Sequence, residues 1–236
     1  MVNTLKPTIL KDIERVSSIV FVMGDPDRVM ALSDTLDDRK ILFNKRGILV
    51  VDGVYRGQNF TIASHGIGCP MASLVFEELG LLGARVFIRL GTTGSLIKDL
   101  RIGDVLLVAG AGYMANGCST NMYSPHIHGG SSPDPLLLAR IHDHLIERGM
   151  DVRVGLVFTS DAFHVEKQYI DQLVKRGFIA IDMETAILYI LGWMRNWRTL
   201  SILIVSNNVL EKTKMLTTHE LLDRFKTLFK HLLDFF

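Results

Sequence analysis

Residues 84–96, Ala84-Arg85-Val86-Phe87-Ile88-Arg89-Leu90-Gly91-Thr92-Thr93-Gly94-Ser95-Leu96, constrain the fold more than any other stretch of the chain. Three apolar residues of strand type, Val86, Phe87 and Ile88, deliver an arginine to a sheet edge, and a predicted turn rich in glycine and threonine follows. Glycine lets backbone amides come close to a ligand, threonine hydroxyls add donors, and Arg89 adds a fork-shaped cation. That set of groups suits a phosphate. The glycines could equally do no more than turn the chain after a strand, with Arg89 half-buried in a salt bridge, so the other segments must decide.

At 236 residues, 48% of them hydrophobic and 22% charged, the chain can bury a sizeable core, and one domain over residues 1–236 is expected. The 26 basic and 25 acidic residues leave a formal net charge of +1 and form no basic run. Binding to nucleic acid or to a membrane surface through bulk charge is therefore not expected. No segment reaches the ~18 apolar residues of a membrane span, and the N-terminus lacks a stretch of signal-peptide length, so a cytoplasmic location is expected. Cys69 and Cys118 have no metal-ligand spacing, and free thiols are favoured over a framework, with a bridge between them left open.

In chain order, Ile19 to Met23 reads as a buried strand ending in Gly24-Asp25-Pro26-Asp27-Arg28, where a helix begins with Pro26 in its first turn. Gly24 offers a free amide there, and Arg28 either reaches the same place or lies on the surface. Residues 46–64 read as a hairpin turning at Arg56-Gly57. The hairpin runs into Ser64-His65-Gly66-Ile67-Gly68, and a helix follows from Met71 to Leu82. A dinucleotide fingerprint fails here, because Met71 stands where glycine or alanine is needed. A polar insertion from Tyr113 to Asp134 carries His126 and His128 without further ligands at a metal-site spacing, and His142 and His144 read as surface residues. Phe163 follows a strand-end turn, where it is either core or a stacking surface for a planar ligand. Asp182 and Glu184 flank the start of a helix; one can cap it, and the other suits vicinal sugar hydroxyls. A last strand ends at Ser206-Asn207-Asn208, and an amphipathic helix runs from Thr218 to Phe235. Strand ends of this kind converge on a crevice in α/β sheets.

These segments together resemble the nucleoside phosphorylase family that includes hexameric purine nucleoside phosphorylase, uridine phosphorylase and archaeal 5'-methylthioadenosine phosphorylase. The motifs stand in family order: Gly24-Asp25-Pro26-x-Arg28, Arg46-Gly47, His65-Gly66-x-Gly68, Arg89-x-Gly91-x-x-Gly94, Ser160-Asp161-x-Phe163, Asp182-Met183-Glu184 and Ser206-Asn207. The resemblance implies a single α/β domain with a mixed, partly closed β-sheet flanked by helices. It implies phosphorolysis of a ribonucleoside to free base and ribose 1-phosphate, in nucleoside salvage, with phosphate as co-substrate and no cofactor or metal. By the same resemblance, Gly24, Arg28, Arg89 and Thr92 would hold phosphate, with Arg46 supplied by a neighbouring subunit of a homo-oligomer, a dimer at least and a hexamer by expectation. Ile67, Met183 and Glu184 would hold the ribose. Thr93, Gly94, Phe163, Ile181 and Asn207 would line the base site, and Asn207, Arg89 and Glu184 would carry the chemistry.

The sequence departs from the family pattern twice. Asn207 replaces an aspartic acid that protonates purines, and an amide donates a hydrogen bond but no proton, which suits a 6-oxopurine better than adenine. Thr8 stands where a histidine reaching a neighbour's 5'-substituent is usual. A hydrolytic nucleosidase would not need three phosphate-facing arginines, and Arg28, Arg46 and Arg89 are all present. In uridine phosphorylases a glutamine and an arginine beyond the phenylalanine read the pyrimidine, and Glu166-Lys167-Gln168-Tyr169 matches them poorly. A catalytically impaired nucleoside-binding protein would have little need of a phosphate site.

Overall fold

The computed structural model describes residues 5–123 and 130–236; His126 and His128 lie outside them. The strands are β1 (Ile19–Met23), β2 (Asp37–Lys45), β3 (Ile48–Tyr55), β4 (Gln58–Ser64), β5 (Val86–Ser95), β6 (Val105–Tyr113), β7 (Val152–Thr159), β8 (Phe178–Asp182) and β9 (Arg198–Asn208). The helices are α1 (Pro26–Ser33), α2 (Cys69–Leu81), α3 (Thr120–Tyr123), α4 (Pro135–Glu147), α5 (Ile170–Lys175), α6 (Thr185–Arg195) and α7 (Thr218–Leu233), with a 3₁₀ turn at Glu166–Tyr169. All strands join one sheet in the order β2-β3-β4-β1-β5-β8-β7-β6-β9, and β5 also pairs with β9. That extra pairing closes β5, β8, β7, β6 and β9 into a ring from which β1, β4, β3 and β2 extend. The mixed, partly closed sheet expected from the resemblance is therefore present: β1 is parallel to β4 and β5, whereas β5–β8 and β6–β9 are antiparallel.

Alternation along the strands sends side chains to two apolar layers, because successive residues of a strand face opposite ways. Val20 and Val22 of β1 pack with Val75, Phe76 and Leu79 of α2 and Ile187 and Leu191 of α6. Phe21 and Met23 face α1, α4 and α7 through Leu32, Ile141, Phe225 and Phe229. The ends of α1 and α7 are fixed by their sequence. Asp25 accepts from the Asp27 amide at 2.9 Å with Pro26 opening α1, and Thr217 and Glu220 form a reciprocal capping box on α7. The predicted turn at Arg56-Gly57 is present, with φ of 48° and 83°, both left-handed as a two-residue hairpin requires.

Three expectations need correction. The glycine-threonine segment of residues 91–94 is not a turn but the second half of β5, because it pairs with β9 from Gly91↔Leu203 to Gly94↔Asn207. Glycine at position 91 is needed for packing instead: a Cβ there would lie 2.4 Å from Arg89 Nη1 and 2.8 Å from Leu203 Cδ2. The last strand, expected over Leu200–Val205 with Ser206-Asn207-Asn208 beyond it, likewise continues through Ser206 and Asn207 to Asn208. His144, expected at the surface, is half-buried; it lies 2.8 Å from the His231 carbonyl and packs edge-on against Phe235.

Candidate active site

β5 has different neighbours along one edge. Its pairing with β1 ends at Val22↔Arg89, and its pairing with β8 begins at Gly94↔Ile181. Between them Leu90–Thr93 carry no strand on that side, so the sheet forks there. This is a switch point of the kind at which α/β sheets open a crevice. A cavity of about 950 Å³ lies at the fork.

Two arginines line it. Arg28, on α1, stacks over the Phe225 ring at 4.1 Å, donates to the Leu90 carbonyl at 3.1 Å and to Thr218 Oγ1 at 3.1 Å, and is buried. This is the inward of its two sequence readings. Burial lowers its pKa to about 10, opposed by Asp25, so it stays cationic at neutral pH. Arg89 projects from β5 between two carboxylates, with Asp182 Oδ2 3.1 Å from Nη1 and Glu184 Oε2 ion-paired to Nη2. Burial alone would lower its pKa, but Glu184 and Asp182 hold it above the ordinary value. The Nε atoms of both arginines are buried without a hydrogen-bond partner.

The two carboxylates differ in what they have left to give. Asp182 accepts from Thr159 Oγ1 at 2.8 Å and from the Thr185 amide at 3.0 Å, so it caps α6 and holds Arg89 in place. Glu184 accepts the Gly68 amide at 2.7 Å and otherwise faces the cavity through its pair with Arg89. Asp182 thus takes the capping role expected of one of the two acids, and Glu184 finds its partners in the Gly68 amide and Arg89.

Gly24, Thr92, Thr93, Gly94, Ile67, Met183, Ile181, Phe163 and Asn207 also line the cavity, so of the residues to which the resemblance assigns a phosphate, ribose or base role only Arg46 lies outside it. Arg46 is exposed in the β2–β3 turn with φ of 57°, and it does not line the cavity of its own chain. Thr8 is likewise elsewhere, its amide 2.8 Å from Glu78 Oε1. Phe163 is 47% exposed, which makes it a cavity wall and not core. Ser206 Oγ donates to Asn207 Oδ1 at 3.0 Å, and Asn207 Nδ2 makes no hydrogen bond among the described residues. The Ser206 hydroxyl divides its one proton between Asn207 Oδ1 and the Thr93 carbonyl at 3.3 Å, and the amide Nδ2 of Asn207 offers two donors to whatever enters.

Glu166 and Lys167, which enter the sequence analysis only as a poor match to a pyrimidine-reading pair, line the cavity as well, and so do His164, Lys212 and Met215, which sequence reasoning missed. They stand in segments without strand or motif, so only their proximity in sequence to Phe163 and Asn207 could have flagged them. Cys69 and Cys118 are unbridged and buried, and with Asp161 their ligand atoms lie within 4.8 Å of one another, a juxtaposition the spacing concealed. Each thiol donates to a backbone carbonyl, Cys69 to Met183 at 3.3 Å and Cys118 to Thr159 at 3.6 Å.

Residues 18–234 match the model of the phosphorylase superfamily. The chain belongs to that superfamily. It is 31% identical over 205 residues to a guanosine phosphorylase of Halorubrum lacusprofundi, covering 86% of this chain and 84% of the relative. It is also 31% identical over 203 residues to a DeoD-type purine nucleoside phosphorylase of Bacillus subtilis, covering 83% and 84%. Two solved superfamily structures superpose over the whole chain at 27% identity. The purine nucleoside phosphorylase of Toxoplasma gondii with immucillin-H has a TM-score of 0.85 with 96% of it covered, and the uridine phosphorylase of Vibrio fischeri has a TM-score of 0.86 with 98% covered. No helix among the described residues is long and apolar enough to cross a membrane.

Proposed function

We propose that this chain catalyses the phosphorolysis of a purine ribonucleoside, with a 6-oxopurine base favoured, to free base and ribose 1-phosphate. The observation that carries the reading is the convergence at one fork of two buried arginines, a carboxylate held against one of them, and an asparagine with free donors. Arg28, Arg89, Thr92 and the Gly24 amide form the anion end, and relatives named for guanosine and purine nucleosides support the purine assignment. Glu184 takes the ribose hydroxyls by charge-assisted hydrogen bonds, with Ile67 and Met183 against the sugar. Phosphate oxygen attacks C1' as the bond to the base breaks, and the electron pair leaves on the base. Positive charge builds on the ribose during that step, and phosphate held beside it stabilises the transition state before capturing the sugar. Asn207 donates to the N7 and O6 edge as the base becomes anionic, without transferring a proton. Phe163 stacks on the ring, and Thr93, Gly94 and Ile181 shape its surroundings.

The same reading makes the chain a cytoplasmic homo-oligomer, a hexamer as in the family's purine members, in which the exposed Arg46 completes a neighbour's phosphate site. The test is release of base from inosine, guanosine, adenosine, 5'-methylthioadenosine, uridine and cytidine, each with and without phosphate. Phosphate-dependent release of hypoxanthine or guanine, with adenine slower, is the expected result. Release from uridine alone moves the chain to pyrimidine substrates. Release without phosphate refutes phosphorolysis, and none from any nucleoside leaves a binding protein.

A further inference from the structure

Three side chains that the proposed reaction does not use converge from distant parts of the chain. Cys69 opens α2, Cys118 lies in the turn before α3, and Asp161 follows β7, yet their two sulfurs and a carboxylate oxygen lie within 4.8 Å of one another. Both thiols are fully buried, whereas Asp161 is exposed and gives the cluster an approach from solvent. The protein holds each thiol only by a weak S–H bond to a carbonyl, at 3.3 Å for Cys69 and 3.6 Å for Cys118. The turn that carries Cys118 is strained. Cys118 and Ser119 both have left-handed backbone, at φ of 55° and 58°, which residues with a side chain rarely adopt. Gly117 lets this turn close on the acid, since a Cβ there would lie 2.8 Å from Asp161 Oδ2. The Cys118 amide donates to that same oxygen at 2.5 Å, and the Thr120 hydroxyl donates to the Gly117 carbonyl at 2.7 Å.

Two sulfurs and one carboxylate oxygen select the kind of ion. Calcium and magnesium take oxygen ligands, whereas thiolates suit zinc. Around a tetrahedral Zn²⁺ with bonds of about 2.3 Å to sulfur and about 2.0–2.2 Å to oxygen, ligand atoms stand about 3.5–3.8 Å apart. Closing the present triangle to that size takes shifts of about 1 Å. We propose that Cys69, Cys118 and Asp161 form a zinc site, with water as the fourth ligand on the exposed side of Asp161. Binding breaks two S–H bonds, forms two Zn–S bonds and releases two protons to solvent. The site is separate from the reaction proposed above and does not depend on it. Its position gives the ion a consequence. Cys69 directly follows Gly68, whose amide holds Glu184, and Asp161 stands two residues before Phe163. Zinc therefore braces the start of α2 against the turn that carries Phe163.

The experiment takes the untagged full-length protein, reduced and freed of metal with a chelator, and titrates it with Co²⁺ under nitrogen. The wild type should show near-ultraviolet charge transfer from thiolate to cobalt together with the visible bands of a tetrahedral ion, and an equimolar amount of Zn²⁺ should bleach both. Cys69 and Cys118 are the two cysteines of the chain, so a thiolate band reports on them, and histidine or carboxylate sites at the surface give none. Cys69→Ser and Cys118→Ser should each weaken zinc binding by about 100-fold or more, read by competition with a chromophoric chelator, because loss of a residue that only supports a ligand already costs about 10- to 100-fold. Asp161→Asn should keep the thiolate band and weaken zinc binding by about tenfold or more. Zinc should also raise the melting temperature of the wild type and of neither serine variant. Absence of a thiolate band in the reduced wild type, a result that needs no variant to fold, would overturn the proposal. So would a band of undiminished intensity in either serine variant, or one zinc affinity shared by all four proteins.

Discussion

Replacing Glu184 by glutamine removes one negative charge from the cavity and almost no volume. In the free protein Oε1 accepts the Gly68 amide at 2.7 Å, which the glutamine oxygen can retain, and Oε2 is paired with Arg89. Arg89 in the variant keeps only Asp182, at 3.1 Å. Two effects of opposite direction follow. A unit charge withdrawn from about 6 Å of a bound anion relieves about 3 kcal/mol of repulsion at an effective dielectric of about 20, and water and salt reduce that further. Phosphate should therefore bind at least about tenfold more tightly. The ribose loses in the same step. Two charge-assisted hydrogen bonds, worth about 1.5–3 kcal/mol each, become neutral ones of roughly half the strength. The net loss of about 1.5–3 kcal/mol lowers kcat/KM for the nucleoside about 10- to 150-fold. Titration calorimetry with phosphate alone reads the first effect, and ultraviolet assay of base release at saturating phosphate reads the second. Phosphate binding that weakens, or a kcat/KM within threefold of wild type, would refute the division of labour between Arg89 and Glu184.

Other predictions follow from the same geometry. Asn207→Asp supplies a group able to protonate the base, so the adenosine-to-inosine ratio of kcat/KM should rise about tenfold or more; steady-state rates on both nucleosides check it. Arg46→Ala should raise the phosphate KM about tenfold, and mixing it with Glu184→Gln should restore part of the activity, since each subunit lends what its neighbour lacks. Fully active monomers in light scattering would contradict that role. Tyr189→Phe strands two fully buried groups, the Val108 carbonyl at 2.6 Å and the Ser201 amide at 3.0 Å, and should cost about 2–5 kcal/mol, read as a lower denaturant midpoint. Glu166, raised to about 7 from 4.5 by burial, keeps its proton in the folded chain after the unfolded chain has lost it. Its contribution to stability therefore falls as pH rises from about 4.5 to 7, and the melting temperature of wild type minus Glu166→Gln should fall across that window. A flat difference would show that its environment does not shift it.

Residues fixed by local chemistry were legible in the sequence. Strand β1 stands out as a continuous apolar run, the β3–β4 hairpin by Arg56-Gly57, α1 by Asp25-Pro26, and most of the cavity wall because it sits at strand ends. What could not be read depends on pairing between distant segments. Gly91 looks like a turn residue locally, and only β9 running alongside makes it a strand residue pressed against Arg89. β2, with exposed residues such as Asp38, Arg39 and Lys40, has little of the alternation that marks a strand, and its pairing with β3 creates it. Glu166 lies in a short turn whose sequence carries no motif, so its burial came from the fold alone.

The fork in the sheet divides the site into parts of unequal mobility. The anion end rests on β5, which pairs with β9 along its whole length and is tied to β1 and β8 on its other side. Amides of Val86–Ile88, held from both edges just ahead of the fork, should exchange with solvent only when the molecule opens globally. The base end keeps Thr93, Gly94, Ile181 and Asn207 on strands, but its outer wall rests on connecting segments, with Phe163 at 47% and Met215 at 52% exposure. Those segments can adjust or be exchanged for others without disturbing the ring of strands. A lineage with this fold can therefore alter which base it accepts while the phosphate chemistry stays where β5 holds it.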